Sequence, residues 1–268
     1  MTHGVLLFAH NNDVVDYVKQ AIYCASQIKK HLNLPVSLAT SENVKGVHNF
    51  DKIIPIENPN QKQTRNFYDG TFKQSTLWSN QTRTNVYELS PYDETIVMDT
   101  DFIVQNSNLN KVFESNEDFL INYDAQHIDY DSKYTKEMQY VSDTGIKMCW
   151  ATVFYFKKTK KVKILFELIN HIKDNWPFYR FRYQLLQHTY RNDFAFAIAL
   201  HMMNGYQTST WPKTLPIKLL YVTDKDIILS KTKNAWKFKH ESGIVSLIKD
   251  QNIHIMNKIA LNRIIENE

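Results

Sequence analysis

Thr95-Ile96-Val97-Met98-Asp99-Thr100-Asp101-Phe102-Ile103-Val104 runs apolar, acidic, then apolar again. Its first part is the right length and composition for a buried strand. That strand leads directly into two aspartates separated by one residue. In extended backbone, side chains two positions apart point the same way. Asp99 and Asp101 are therefore candidate ligands of one divalent cation, and their hard oxygens suit Mg²⁺ or Mn²⁺. An ion held there would offset negative charge on a bound phosphate group, such as a departing diphosphate. A strand-end turn with solvated carboxylates is the competing reading. The apolar flanks on both sides of the pair favour a site.

Upstream, the chain opens on a β-α-β pattern. Val5-Leu6-Leu7-Phe8-Ala9 reads as a buried strand, and Asn11, Asn12 and Asp13 as turn and helix-capping residues. Val14, Val15, Val18, Ala21, Ile22, Ala25 and Ile28 then recur at helical spacing up to His31. Residues 35–40 and 52–56 predict two further strands. Open sheets of this kind bind ligands at the carboxyl edge of their strands. Neither G-x-G-x-x-G nor G-x-x-x-x-G-K-[ST] occurs, which argues against a dinucleotide fold or a P-loop.

Residues 72–89 have helical character, stopped by Pro91. Downstream of the acidic pair, a polar loop is expected through Asn110. Phe119 to Tyr123 reads as a strand ending at Asp124. Residues 126–146 read as a loop over the site, and Trp150 to Phe156 as a strand. Helices are expected at 159–174 and 180–204, the second closed by Gly205. Short strands and a helix after residue 255 complete the chain. The expected organisation is a catalytic region over 1–215 and an extension over 216–268 that completes the metal and diphosphate site.

With 43% hydrophobic residues, the chain of 268 can build a large core, and 6 Gly with 7 Pro exclude linker-dominated classes. The net charge of +4 permits contact with phosphates without demanding it. Cys24 and Cys149 lie in apolar surroundings without metal-type spacing, so buried free thiols are expected. No apolar run reaches the length of a membrane span, and the first residues lack a signal-peptide pattern. A cytoplasmic location is the expectation.

The segment from Thr95 to Val104 resembles the D-x-D segment of GT-A glycosyltransferases, above all the glycogenin-like and galactosyltransferase-like retaining group. The likeness in layout covers roughly residues 4–205. It implies a GT-A fold, with a mixed central sheet flanked by helices, a UDP-sugar donor, and Mn²⁺ or Mg²⁺. It implies that Ala9, His10, Asn11 and Tyr17 cradle the nucleotide, and that Arg83 reaches the sugar or diphosphate, with Arg65 a second candidate. It further implies that Asp124 holds sugar hydroxyls and that Trp150, with Ala151 and Thr152, lines the donor. For Trp150 a core residue is the stronger reading. Asn192-Asp193-Phe194 resembles the acidic pair near the anomeric carbon, although Phe194 departs from the pattern and Asp193 is also a good helix cap. His254 resembles the late third metal ligand, and Lys258 the lysine that touches the diphosphate.

A narrower resemblance is to small glycosyltransferases of large-tailed phages, some of which glycosylate hydroxymethylated DNA bases. It implies DNA as the acceptor, in a host cytoplasm. Tyr179, Phe181, Tyr183 and Tyr190, interleaved with Arg180, Arg182 and Arg191, suit backbone tracking and base stacking. They equally suit an amphipathic helix with rings inward. A glycan, lipid or protein acceptor, a nucleotidyltransferase, and a binding module without chemistry remain alternatives. Oligomeric state is not legible.

Overall fold

The computed structural model describes residues 1–44, 49–57, 63–79, 81–129, 139–208 and 210–266. Its main sheet has six strands in the order β3 (Lys52–Pro55), β2 (Val36–Thr40), β1 (His3–Ala9), β6 (Glu94–Met98), β10 (Trp150–Lys157) and β8 (Phe119–Asn122). β3, β2, β1 and β6 are parallel neighbours, and β10 runs antiparallel to both β6 and β8. The sheet is therefore mixed, and the fold is α/β, as expected. Val5, Leu6 and Leu7 are fully buried, as are Val153 to Phe156, because helices cover the sheet.

Helix α1 (Tyr17–Leu32) buries Tyr17, Gln20, Ala21, Cys24, Ala25, Ile28 and Leu32, one stripe at helical spacing. It begins later than Asn11–Asp13 suggest. Asp16 is the cap, accepting from Lys19 N at 2.9 Å, a contribution of about 1 kcal/mol. Asn11 and Asn12 instead fold the preceding turn, accepting from Val18 N and from Val14 N and Val15 N.

After β1 the chain leaves to one side through α1 and β2, while β6 lies on the other side of β1. The crevice at the carboxyl ends of β1 and β6 is therefore a topological switch point. It places the loop after Ala9 beside the loop after Met98.

Residues 72–89 do not form a helix. β4 (Gln63–Asp69) and β5 (Phe72–Trp78) are a hairpin paired from Gln63↔Trp78 to Asp69↔Phe72. Gly70, at φ +63, lets its two-residue turn close. Among the described residues there, Gln81–Asn85, a 3₁₀ turn, and the short α2 (Val86–Leu89) are the helical ones. The polar stretch reaching Asn110 contains the start of another 3₁₀ turn, Asn108–Glu114.

The helix expected over 180–204 is two helices. After α3 (Lys160–Asp174), α4 (Trp176–Arg182) ends at Tyr183. Gln184 follows at φ +52, and α5 (Asn192–Met203) starts afresh. Gly205 follows α5 at φ +66, the left-handed position that favours glycine after a helix.

A second sheet orders β7 (Phe102–Ile103), β15 (Ile253–Ile255), β11 (Leu219–Val222) and β9 (Ala125–His127). β9 lies inside the stretch read as loop, of which residues 130–138 fall outside the described residues. Period-2 alternation gives this sheet two different faces. Phe102, His254, Tyr221 and His127 are in register across its four strands. Ile103, Ile253, Ile255, Leu220, Val222 and Ile128 belong to a separate apolar core. Trp236 and Phe238 of β13 (Ala235–Lys239) join that core. β13 is the middle strand of a small sheet with β12 (Ile227–Lys231) and β14 (Val245–Lys249). Helix α6 (Lys258–Ile265) closes it with Ala260, Leu261 and Ile265. Residues before and after position 215 thus share the second sheet.

Both cysteines are free and buried. Among the described residues, no helix is long and apolar enough to cross a membrane.

A candidate metal and diphosphate site

The switch point opens into a cleft of about 620 Å³. Phe8, His10 and Tyr17 line one wall. Asp99, Thr100 and Asp101 form the floor, and His254, Met256 and Lys258 enter from the second sheet and α6. The far wall carries Trp150, Ala151, Thr152, Arg191, Asn192 and Asp193. The strand geometry explains the convergence. Asp99 N donates to Thr152 O at 2.8 Å, and Ile255 N donates to Asp101 O at 2.9 Å, so the acidic turn is fastened to both sheets.

Asp99, Asp101 and His254 each offer a ligand atom within 4.8 Å of the others. Asp101 is 1% exposed. Its Oδ2 accepts from Lys258 Nζ at 2.5 Å and lies 3.2 Å from His254 Nε2. Burial favours the protonated acid, but Lys258 and His254 outweigh it and hold the Asp101 carboxyl well below the usual carboxylate range. Arg83 grips Asp99 Oδ1 with one guanidinium nitrogen, and its other donates to Thr152 O at 3.1 Å. Thr152 Oγ1 is 3.3 Å from His254 Nδ1, which fixes the face that the ring presents to Asp101.

Lys258 is the first residue of α6, where the helix dipole disfavours a cation. The carboxylate of Asp101 offsets this. Fully buried Gln20 braces the same corner. It donates to Lys258 O at 3.0 Å and to Asn262 Oδ1 at 2.6 Å, and accepts from Thr100 Oγ1 at 3.3 Å.

The buried polar atoms Asp101 Oδ1, Arg83 Nε and Tyr17 Oη have no hydrogen-bond partner. All three belong to residues that line this cleft. Unpartnered buried groups of this kind call for an explanation, and an ion or ligand in the cleft would supply one. The donor set of two carboxylates and an imidazole fits Mn²⁺, or Mg²⁺ with less ease because of the nitrogen ligand.

Of the residues named from sequence, His10, Tyr17, Arg83, Asp99, Asp101, Trp150, Asp193, His254 and Lys258 line this cleft. His10 is already engaged there, with Nδ1 2.9 Å from Ser41 Oγ and Nε2 3.0 Å from Thr82 Oγ1. Trp150 is 3% exposed and packs on Tyr221 with centroids 5.3 Å apart, so most of its ring is core. Asp193 lies in the first turn of α5 but caps nothing. Its Oδ1 accepts from Ala151 N at 2.9 Å and its Oδ2 from Arg191 at 2.9 Å.

Ala9, Asn11 and Asp124 are not among the lining residues. Ala9 is buried in β1, where its carbonyl accepts from Thr40. Asn11 is spent on Val18 N. Asp124 lies between β8 and β9, exposed to solvent.

Sequence reasoning missed Thr152 as an anchoring residue, Gln20, and the wall formed by the hairpin. That wall brings in Arg65, whose guanidinium stacks 4.7 Å from the Trp78 ring. The interleaved aromatics are split, since Tyr179 and Tyr190 are buried whereas Phe181 is 85% exposed.

No family model matches the chain, and no curated protein matches it. Among solved structures, the galactosyltransferase LgtC in complex with donor and acceptor sugar analogs superposes with TM-score 0.45 at 11% identity, over 72% of this chain and 70% of that one. The glycosyltransferase GlyE of Streptococcus pneumoniae gives 0.42 at 12% identity, over 76% of this chain and 43% of that one. The bifunctional IspDF of Campylobacter jejuni gives 0.37 at 12% identity, over 74% and 47%. The chain thus spans less than half the length of GlyE and of IspDF.

Proposed function

We propose that the chain is a metal-dependent glycosyltransferase of the GT-A type, taking a sugar from a nucleoside diphosphate-sugar, UDP being the assigned nucleotide. The observation that carries this is the Asp99, Asp101 and His254 cluster at a switch-point cleft, with Lys258 and Arg83 beside it and Asp101 Oδ1 left without a partner. Asp99, Asp101 and His254 would hold Mn²⁺ or Mg²⁺, which supplies Lewis-acid stabilisation of the leaving diphosphate. Lys258 and Arg83 place two further positive charges where that diphosphate lies, fixed in advance by Asp101, Asp99 and Thr152 O. Phe8, His10 and Tyr17 wall the nucleotide side. Asp193, held by Ala151 N and Arg191, keeps a carboxylate oriented toward sugar hydroxyls.

A nucleotidyltransferase also uses paired carboxylates on an α/β sheet. It needs a Gly-rich basic loop after the first strand, and Phe8-Ala9-His10-Asn11 supplies none. The test is release of nucleoside diphosphate from a panel of nucleotide-sugars with MnCl₂, with and without EDTA. Metal-dependent release from a UDP-sugar is expected. Failure to turn over or bind any donor in the panel sinks the proposal, and pyrophosphate release from a nucleoside triphosphate would replace it.

The acceptor we assign is the hydroxyl of 5-hydroxymethylcytosine in DNA. The net charge of +4 supports it, as do Arg180, Arg182 and exposed Phe181, on a segment that continues into the cleft wall at Gln187, Thr189 and Arg191. DNA binding that weakens steeply with salt is expected. No binding at low salt transfers the assignment to a glycan, lipid or protein hydroxyl.

A further inference from the structure

A second cluster of imidazoles and carboxylates lies at the far edge of the second sheet. His127 ends β9, Asp129 follows it, Asp226 sits in the turn between β11 and β12, and His240 comes directly after β13. His127, Asp129 and His240 each offer a ligand atom within 4.8 Å of the others. His127 and His240 are 6% and 3% exposed.

Each imidazole is held from behind. His127 Nε2 is 2.7 Å from Asp226 Oδ2, and that carboxylate is itself fixed by Thr223 N at 2.7 Å and Thr223 Oγ1 at 2.9 Å. His240 Nε2 is 2.8 Å from Ser246 Oγ. The opposite nitrogens, His127 Nδ1 and His240 Nδ1, are buried with no hydrogen-bond partner. His127 Nδ1 is 2.8 Å from Asp129 Oδ1, and His240 Nδ1 is 3.3 Å from Asp226 Oδ1, so both nitrogens face carboxylate oxygens. Imidazole nitrogens and a carboxylate oxygen gathered within 4.8 Å in one buried spot are spaced as ligands of a common centre are spaced. Rings anchored through one nitrogen, with the other turned into a cluster, are the habit of metal-ligating histidines.

We propose that His127, Asp129 and His240 form a structural zinc site, with Asp226 and Ser246 orienting the two imidazoles. Two neutral imidazoles and one carboxylate are ligand types that Zn²⁺ takes, and they supply three of the four positions of a tetrahedral site. A metal there joins the edge strand β9 to the turn after β13, and so fastens the small three-stranded sheet to the sheet that carries His254. Binding leaves both imidazoles neutral and involves no covalent or redox step.

The test uses the full chain, stripped with EDTA and titrated with ZnCl₂, with the melting temperature as readout. Wild type and His254→Gln, whose cleft cluster is disabled, are expected to gain roughly 5–10 °C at zinc about a hundredfold above its dissociation constant. His240→Gln and Asp129→Asn are expected to show no zinc-dependent gain. Ser246→Ala keeps all three ligands and is expected to weaken zinc about tenfold, a readout that survives if His240→Gln does not fold. No zinc-dependent gain in wild type overturns the site. So does a gain lost in His254→Gln, or zinc affinity unchanged in both Asp129→Asn and Ser246→Ala.

Discussion

Two clusters of carboxylate and imidazole draw on one register line across the second sheet, His254 on β15 and His127 on the edge strand β9, with Tyr221 between them. They differ in what surrounds them. Around Asp99 and Asp101 the protein adds Arg83 and Lys258, and the Asp99 side chain keeps 35% exposure. Around His127 and His240 it adds the carboxylates of Asp129 and Asp226, and all four side chains are at most 7% exposed. Surplus cations at the mouth of a cleft prepare for an anion that arrives and leaves. Surplus carboxylates in a closed pocket balance a cation that stays. The same ligand types thus read as chemistry in one cluster and as fastening in the other.

The sharpest way to break that contrast is Asp101→Asn. We expect metal-dependent release of nucleoside diphosphate to fall at least about a thousandfold, since the variant removes a ligand and the partner of Lys258 together. Activity near wild type would end the comparison. Next, Arg83→Lys keeps the charge but loses the simultaneous hold on Asp99 and Thr152 O. A drop of about a hundredfold in kcat/KM is expected, with the melting temperature changed by less than that of His240→Gln.

His240→Gln is the converse. It should lower stability by about 1–3 kcal/mol in zinc, while donor hydrolysis by the folded fraction stays within about threefold of wild type. Gln20→Leu strands Thr100 Oγ1 and Lys258 O, and should cost about 1–2 kcal/mol by denaturant unfolding. The smallest effect is expected from Glu167→Gln. It removes an exposed ion pair with Lys163 on α3 and should shift stability by no more than about 0.5 kcal/mol.

The parts legible in the sequence are those where burial is continuous. β1, β2, β6, β10, α1 and α3 announce themselves through apolar runs or stripes, and the acidic pair sits at the end of one of them. His254 and Lys258 were readable only through a resemblance, because β15 is three residues long and its neighbours are distant in sequence. The hairpin of β4 and β5 looked helical because Phe72 and Leu77 are exposed, at 61% and 52%, so its apolar residues do not mark a buried face. Its stability lies in cross-strand pairing, which a window along the chain does not see. The second cluster left no motif at all. His127 and His240 meet only because β11 pairs with β9 and the three-stranded sheet folds back over that edge, and loop closure of that span has no local signature.

The placement of β15 has a temporal consequence. It lies between β7 and β11, bonded to both, although it is made after either of them. During synthesis the ribosome releases Asp99 and Asp101 about 150 residues ahead of the histidine that completes their triad, as the separation of 153 between Asp101 and His254 shows. The cluster that His254 forms with Asp99 and Asp101 is therefore assembled only once the last strand of that sheet is in place.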